Sequence, residues 1–217
     1  MPAAAHPLAI CREDQIAQAV TDWRADGVIL AISPGRAGYR RPARVPYSVP
    51  HSDRGLAGRD STPVLCLYCH DIETPYAMPW RAPDASHVRL ALSFRDEIVA
   101  GTAGGRILIA CRAALSRSPA LALALAMPAN PVGEAGRDPI SDHVEAAARA
   151  CAALVKAAPW CQPNRLILEI ADRLLTLDGA LTAAAAAAFT YPPRAPHGAM
   201  GEPGHFAALR PQDGAAS

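Results

Sequence analysis

The sequence predicts an α/β fold in which a central, mostly parallel sheet is flanked by helices on both faces. Two observations carry this. Short strand-like runs alternate with helical segments along the chain, and the strand-like runs (GVILAI, VLCLYC, RILIA) are apolar throughout instead of alternating. A strand that is apolar on both sides must be covered on both sides, which is the condition of a parallel sheet in a layered α/β domain.

Taken in order, Pro7–Cys11 reads as a first short strand. Asp14–Trp23 follows with Ile16, Ala19, Val20 and Trp23 at helical spacing. Gly27–Ile32 is a continuous apolar strand, closed by the breaker Ser33-Pro34-Gly35. Residues 34–63 form a long insertion rich in Pro, Gly and Arg, without any period. Val64–Cys69 is the next strand, His87–Ala100 an amphipathic helix, and Arg106–Ala110 a buried strand. An Ala/Leu helix opens on Ser-Arg-Ser-Pro, with Pro119 suited to its first position, and Asp142–Ala157, Arg165–Leu175 and Gly179–Phe189 complete the helices. This makes residues 1–190 one domain and residues 191–217 a disordered tail.

The chain of 217 residues has a net charge of +1, so bulk electrostatics favours no class of partner and any preference for anions must be local. No segment reads as a signal peptide, and the apolar runs at Pro119–Met127 and Leu181–Phe189 are too short to span a bilayer. A cytoplasmic protein without a membrane partner is expected, with its six cysteines reduced. Cys66 and Cys69 have zinc-ligand spacing, but within a strand they face opposite ways and no second pair exists. No metal or cofactor is expected. The insertion carries Arg36, Arg40, Arg41, Arg44, Arg54 and Arg59 against Asp53 and Asp60. With Tyr39 and Tyr47 as its only aromatics it does not suit nucleic acid; ordered, it would be a basic flap over an anion site.

The chemistry concentrates in Ile107–Met127, ILIACRAALSRSPALALALAM, where a strand stops at a cysteine and a helix begins after a short loop. A loop running into a helix N-terminus points backbone N–H groups at one spot and holds anions there, and a cysteine in that field is favoured as thiolate. Five residues separate Cys111 from Arg117, enough for both to flank one bound anion. The N–H groups of Arg112, Ala113, Ala114, Leu115, Ser116 and Arg117 would bind phosphoryl oxygens, with the Arg117 guanidinium gripping two of them. Cys111 would attack phosphorus, and Ser118 would donate to its sulfur. A carboxylic acid is still needed to protonate the departing oxygen. The strand VLCLYC ends in His70-Asp71-Ile72-Glu73, while Asp96 sits mid-helix and reads as solvated.

These residues resemble the cysteine-dependent protein-tyrosine and dual-specificity phosphatases, whose signature is His-Cys-x5-Arg-Ser/Thr, and most of all small bacterial tyrosine-phosphatase-like proteins with the loop HCxAGISRS. LAISPG (Leu30–Gly35), CHDIETP (Cys69–Pro75) and QPNRLILEIADRLL (Gln162–Leu175) fall in the order of that family, so the resemblance covers about residues 7 to 189, leaving out the Arg/Pro-rich insertion. It implies a protein-tyrosine-phosphatase-like fold and a phosphomonoester hydrolase working through a phosphocysteine. The substrate it implies is a phosphorylated protein or small molecule. By carry-over Cys111 is the nucleophile, Arg117 the phosphate ligand, Ser118 the assisting hydroxyl and Asp71 the general acid. The signature histidine is Ala110 here and the usual glycine three residues past the cysteine is Ala114. An impaired or inactive phosphatase-like domain that binds phosphorylated ligands is therefore the alternative. Cys69 would protect Cys111 by forming a disulfide if their strands are adjacent.

Overall fold

The computed structural model describes residues 6–35, 43–47, 62–75, 79–128, 139–191 and 206–209. The strands are β1 (Leu8–Arg12), β2 (Gly27–Ile32), β3 (Ala43–Tyr47), β4 (Thr62–Tyr68), β5 (Ile107–Cys111) and β6 (Ala207–Leu209). The helices are α1 (Ile16–Trp23), α2 (Ala85–Gly101), α3 (Arg117–Ala126), α4 (Pro139–Ala157), α5 (Arg165–Leu175) and α6 (Ala180–Ala188). Among the described residues the strands make one six-stranded sheet in the order β3-β4-β2-β5-β1-β6. The inner pairs β4–β2, β2–β5 and β5–β1 are parallel, and both edge strands are antiparallel. The expected α/β class with a mostly parallel sheet is what the chain adopts.

The crossovers explain the layers. Chain passage from β1 to β2 skips one position, which β5 later fills on its return from β4. These two steps run in opposite directions across the sheet, and right-handed crossovers then put α1 and α2 on opposite faces. One face carries α1 on Ala9, Cys11, Val28, Val64, Leu108 and Ala110. The other carries Ile10, Ile29, Leu65, Leu67, Ile107 and Ile109 under α2 to α6. Cover on the two faces is thus unequal, with α1 the sole α-helix on its side among the described residues.

Every residue of β5 is buried, as a central strand covered on both faces requires. Helix α3 is buried at all positions from Arg117 to Leu125, which matches its Ala/Leu composition on every side. Its C-terminal carbonyls are met by Arg95 of α2, whose Nη1 donates to Leu125 O at 3.0 Å and Met127 O at 2.9 Å. The C-terminal end of the helix behind the Cys111 loop is therefore pinned.

Two sequence expectations need correction. Residues 191–217, read as a disordered tail, contain β6, which pairs with β1 through Leu8↔Leu209 and Ile10↔Ala207. The free edge of β1 exposes backbone donors and acceptors, and Ala207 and Leu209 satisfy them while burying their own side chains. Residues 34–63, in which no strand is expected from the sequence, contain β3, with Pro46 opposite Pro63. Proline within a strand is compatible with this edge position. The arginines of the expected flap lie outside the described residues, except Arg44, whose backbone belongs to β3.

Candidate functional site

β5 delivers Cys111 to the carboxyl edge of the sheet at its middle, between Arg12 of β1 and Ala31 of β2. Openings at this edge, where strand order reverses, are where α/β sheets hold ligands. Cys111 is buried, and the Ser118 hydroxyl in the first turn of α3 lies 3.1 Å from its sulfur.

The loop from Cys111 to α3 is shaped by the segment before α5. The Cys161 thiol donates to Ala114 O at 3.6 Å, Gln162 N to Leu115 O at 2.8 Å, and Asn164 N to Ser116 O at 3.1 Å. Three successive carbonyls thus turn toward residues 161–164. Planar trans peptides then aim the N–H groups of Leu115, Ser116 and Arg117 the opposite way. The turn is completed at Ala114, which sits in the left-handed region at φ 50°. Arg112 is exposed, and its side chain does not join the group.

Arg117 is the first residue of α3 and only 3% exposed. Its Nη1 donates to Cys69 O at 2.6 Å, just past the end of β4. Its Nε is buried with no acceptor among the described residues. A buried donor without a partner is costly, more so on a charged group, and this one lies at a helix N-terminus. Ser116, the N-cap residue, does not use its hydroxyl as a cap. That hydroxyl donates instead to Asp71 Oδ1 at 2.7 Å.

Asp71 is exposed and follows β4 in the loop His70–Glu73. Asn164 Nδ2 also donates to Asp71 Oδ1, at 2.9 Å, and to Ile72 O at 3.2 Å. Glu73 accepts from Arg165 N at 2.9 Å. His70 accepts from Arg81 N at Nδ1 (2.9 Å), and its Nε2 donates to Pro34 O (3.1 Å), while its ring meets Trp80 edge-on. With both ring nitrogens engaged by backbone, His70 braces this loop, and Asp71 is the group presented to solvent.

The other cysteines are held as thiols. Burial pushes Cys11, Cys151 and Cys161 up to about 12 and Cys69 to about 11, and it raises Cys66 as well. The condition for a Cys69–Cys111 disulfide is not met. β2 separates β4 from β5, which sets their strands about 9.5 Å apart, beyond the roughly 7 Å that a disulfide spans.

Cys111, Ser118 and Arg117 therefore share one loop-helix junction, with Asp71 tied to it through Ser116. Asn164 joins them without having been singled out from the sequence. Its place before a helix is a readable cap signal, but its bond to Asp71 spans 93 residues and has no local signature. No protein-family model matches the chain, and comparison with curated proteins finds no match.

Proposed function

We propose that the chain is a cysteine-dependent phosphatase of the protein-tyrosine-phosphatase type, hydrolysing phosphomonoesters of a protein or a small molecule in the cytoplasm. The observation that carries this reading is the buried Nε of Arg117. It has no acceptor among the described residues and lies in the same turn as the Cys111–Ser118 pair. A tetrahedral dianion would satisfy the guanidinium and the loop N–H groups together. A buried structural cysteine would need none of these donors.

In this mechanism Cys111 Sγ attacks phosphorus, and the bond from phosphorus to the substrate oxygen breaks. Asp71 gives that oxygen its proton. Ser118 donates to the sulfur, first holding the attacking thiolate and later the departing one. The Asp71 carboxylate then takes a proton from water as the water oxygen attacks the phosphocysteine. Phosphate leaves and Cys111 is regenerated as thiolate.

The alternative, a domain that binds phosphorylated ligands with little turnover, draws on Ala114, whose strained conformation falls inside the loop. One experiment separates the two. Wild type should hydrolyse phenyl phosphate, vanadate should inhibit it, and Cys111→Ser should abolish turnover while still binding phosphate. Asp71→Asn should lower kcat on phenyl phosphate by about 10²-fold, the usual scale of general acid catalysis. Phosphate binding without turnover in wild type would favour the binding domain. A loss in Asp71→Asn no larger than in Asp96→Asn would remove Asp71 from the acid role.

A further inference from the structure

Helices α2 and α5 both begin at the sheet edge that carries Cys111, and an open groove lies between them. α2 is tied to that edge by His87 Nε2, which donates to Tyr68 O at 3.2 Å, and α5 by Asn164 Nδ2, which donates to Ile72 O at 3.2 Å. The groove encloses about 450 Å³. One wall is Ala85 and Arg89 of α2, at i and i+4; the other is Leu166, Ile170, Arg173 and Leu174 of α5, at i, i+4, i+7 and i+8. Each wall is thus an apolar stripe carrying one arginine. Pro75, which ends the loop of Asp71, lines the groove as well.

Charge in the groove is one-sided. Arg89 and Arg173 are exposed, and neither makes an ion pair or hydrogen bond among the described residues. Glu169 stands four positions before Arg173, the spacing at which helix ion pairs form, and does not pair with it. The one carboxylate in the lining, Asp84, is already engaged. Its Oδ2 accepts from Arg81 Nη2 at 3.1 Å and its Oδ1 from Ser86 N at 2.9 Å.

We propose that this groove docks a segment of a phosphoprotein substrate in which acidic residues alternate with apolar ones, its carboxylates meeting Arg89 and Arg173. The proposal rests on the phosphatase reading above and narrows the substrate to a protein. From Leu166 to Leu174 the α5 wall is about 12 Å long, which accepts three or four residues of extended chain. A small phosphorylated molecule held at Cys111 would leave such a groove unused. Side chains of an extended segment alternate, so leucines can face the apolar floor while the acids between them reach the two arginines at the rim. The groove is also within reach of the site. Asp71 and Pro75 are four residues apart, at most about 14 Å, so a chain whose phosphorylated residue sits at Cys111 enters the groove within a flank of eight residues. With a net charge of only +1 on the chain, selection of acidic substrates must come from a local pair of cations such as this one.

The test uses the full chain and a phosphotyrosyl peptide flanked on each side by eight alternating Glu and Leu residues, beside the same peptide with Gln for every Glu. Wild-type kcat/KM should be about tenfold higher on the Glu form, the scale of two exposed ion pairs. In the double variant Arg89→Glu, Arg173→Glu that preference should vanish or reverse, while kcat/KM on phenyl phosphate changes less than twofold. Both positions are exposed, so the variant keeps the fold. Equal kcat/KM on the Glu and Gln peptides in wild type would overturn the proposal. So would an equal loss on phenyl phosphate in the variant, because the arginines would then serve the phosphate site. A second measurement needs no turnover. Fluorescence anisotropy of the labelled, unphosphorylated Glu/Leu peptide should show binding to wild type that is lost in the variant and in 1 M salt, where charges are screened beyond about 3 Å. Binding of the Gln/Leu peptide with equal affinity would defeat the role of the arginines and leave an active phosphatase standing. A wild type that hydrolyses neither phenyl phosphate nor either peptide would defeat the phosphatase reading, and the groove with it as a substrate site.

Discussion

Ala114 is the residue where the loop works against its own sequence. At φ 50° its Cβ crowds the following carbonyl, a cost of about 1–2 kcal/mol that glycine escapes. The residue is fully buried and its carbonyl receives the Cys161 thiol, so the conformation is imposed by its neighbours. Ala114→Gly should stabilise the protein by about 1 kcal/mol, seen as a rise in Tm of about 2–4 °C for a chain of this size. It should also raise kcat on phenyl phosphate. A lowered Tm would mean that the strain is smaller than the entropy glycine adds to the unfolded chain. The other departure from the phosphatase pattern is of a different kind. Ala110 is fully buried between Cys11 of β1 and Leu30 of β2, on the face that α1 covers. Ala110→His would overfill that layer, so this alanine belongs to the core as much as to the loop.

Helix α2 shows how an element sets the position of the loop that carries Asp71. The sequence predicts its start at His87, and the structure starts it at Ala85 with Asp84 as N-cap. Asp84 accepts from Ser86 N at 2.9 Å and His87 N at 3.4 Å, while His87 Nδ1 accepts from Asp84 N at 3.2 Å. The other ring nitrogen of His87 donates to Tyr68 O at 3.2 Å, which ties the helix to the end of β4 where the Asp71 loop begins. Burial works to raise the Asp84 carboxyl. Hydrogen bonds from Ser86, with His87 and Arg81 nearby, outweigh it and hold the group below its usual value. A carboxyl lowered on folding adds stability above its unfolded value, and that stability is lost as the pH falls through the lowered one. Asp84→Ala should therefore cost about 1–2 kcal/mol in urea denaturation at pH 7. Loss of stability in Asp84→Asn equal to that in Asp84→Ala would show that the cap matters through charge alone.

At the scale of the molecule, the sheet brings distant segments to one edge and leaves a pH-sensitive contact at the other. His6 precedes β1, and its ring Nε2 is buried without a partner among the described residues. Burial first, and the nearby Arg95 second, push it down to about 4, with Asp96 opposing. Between that value and its ordinary 6.5 the unfolded chain binds a proton that the folded chain refuses. Stability is then full above about pH 6.5 and declines as the pH falls toward 4. His6→Gln should flatten the dependence of the urea midpoint between pH 7 and pH 5 relative to wild type. An identical slope in the variant would assign the acid sensitivity to other groups. Among the described residues no helix is long and apolar enough to cross a membrane.

Local pattern determined most of the elements. GVILAI is β2 to the residue and RLILEIADRLL is α5 to the residue, because apolar periodicity and flanking breakers act over a few positions. The Cys111-to-Ser118 junction was legible for the same reason, as a strand, a loop of fixed length and a helix start. Tertiary structure decided what no window of sequence contains. β3 and β6 have no pattern of their own and exist because β4 and β1 would otherwise end the sheet unpaired. The separation of Cys69 from Cys111 follows from β2 lying between their strands. The bonds from Ser116 and Asn164 to Asp71 cross 45 and 93 residues of chain. Periodicity reports which face of an element is buried; which element lies beside it is set by packing across the whole core, and only the folded chain contains that information.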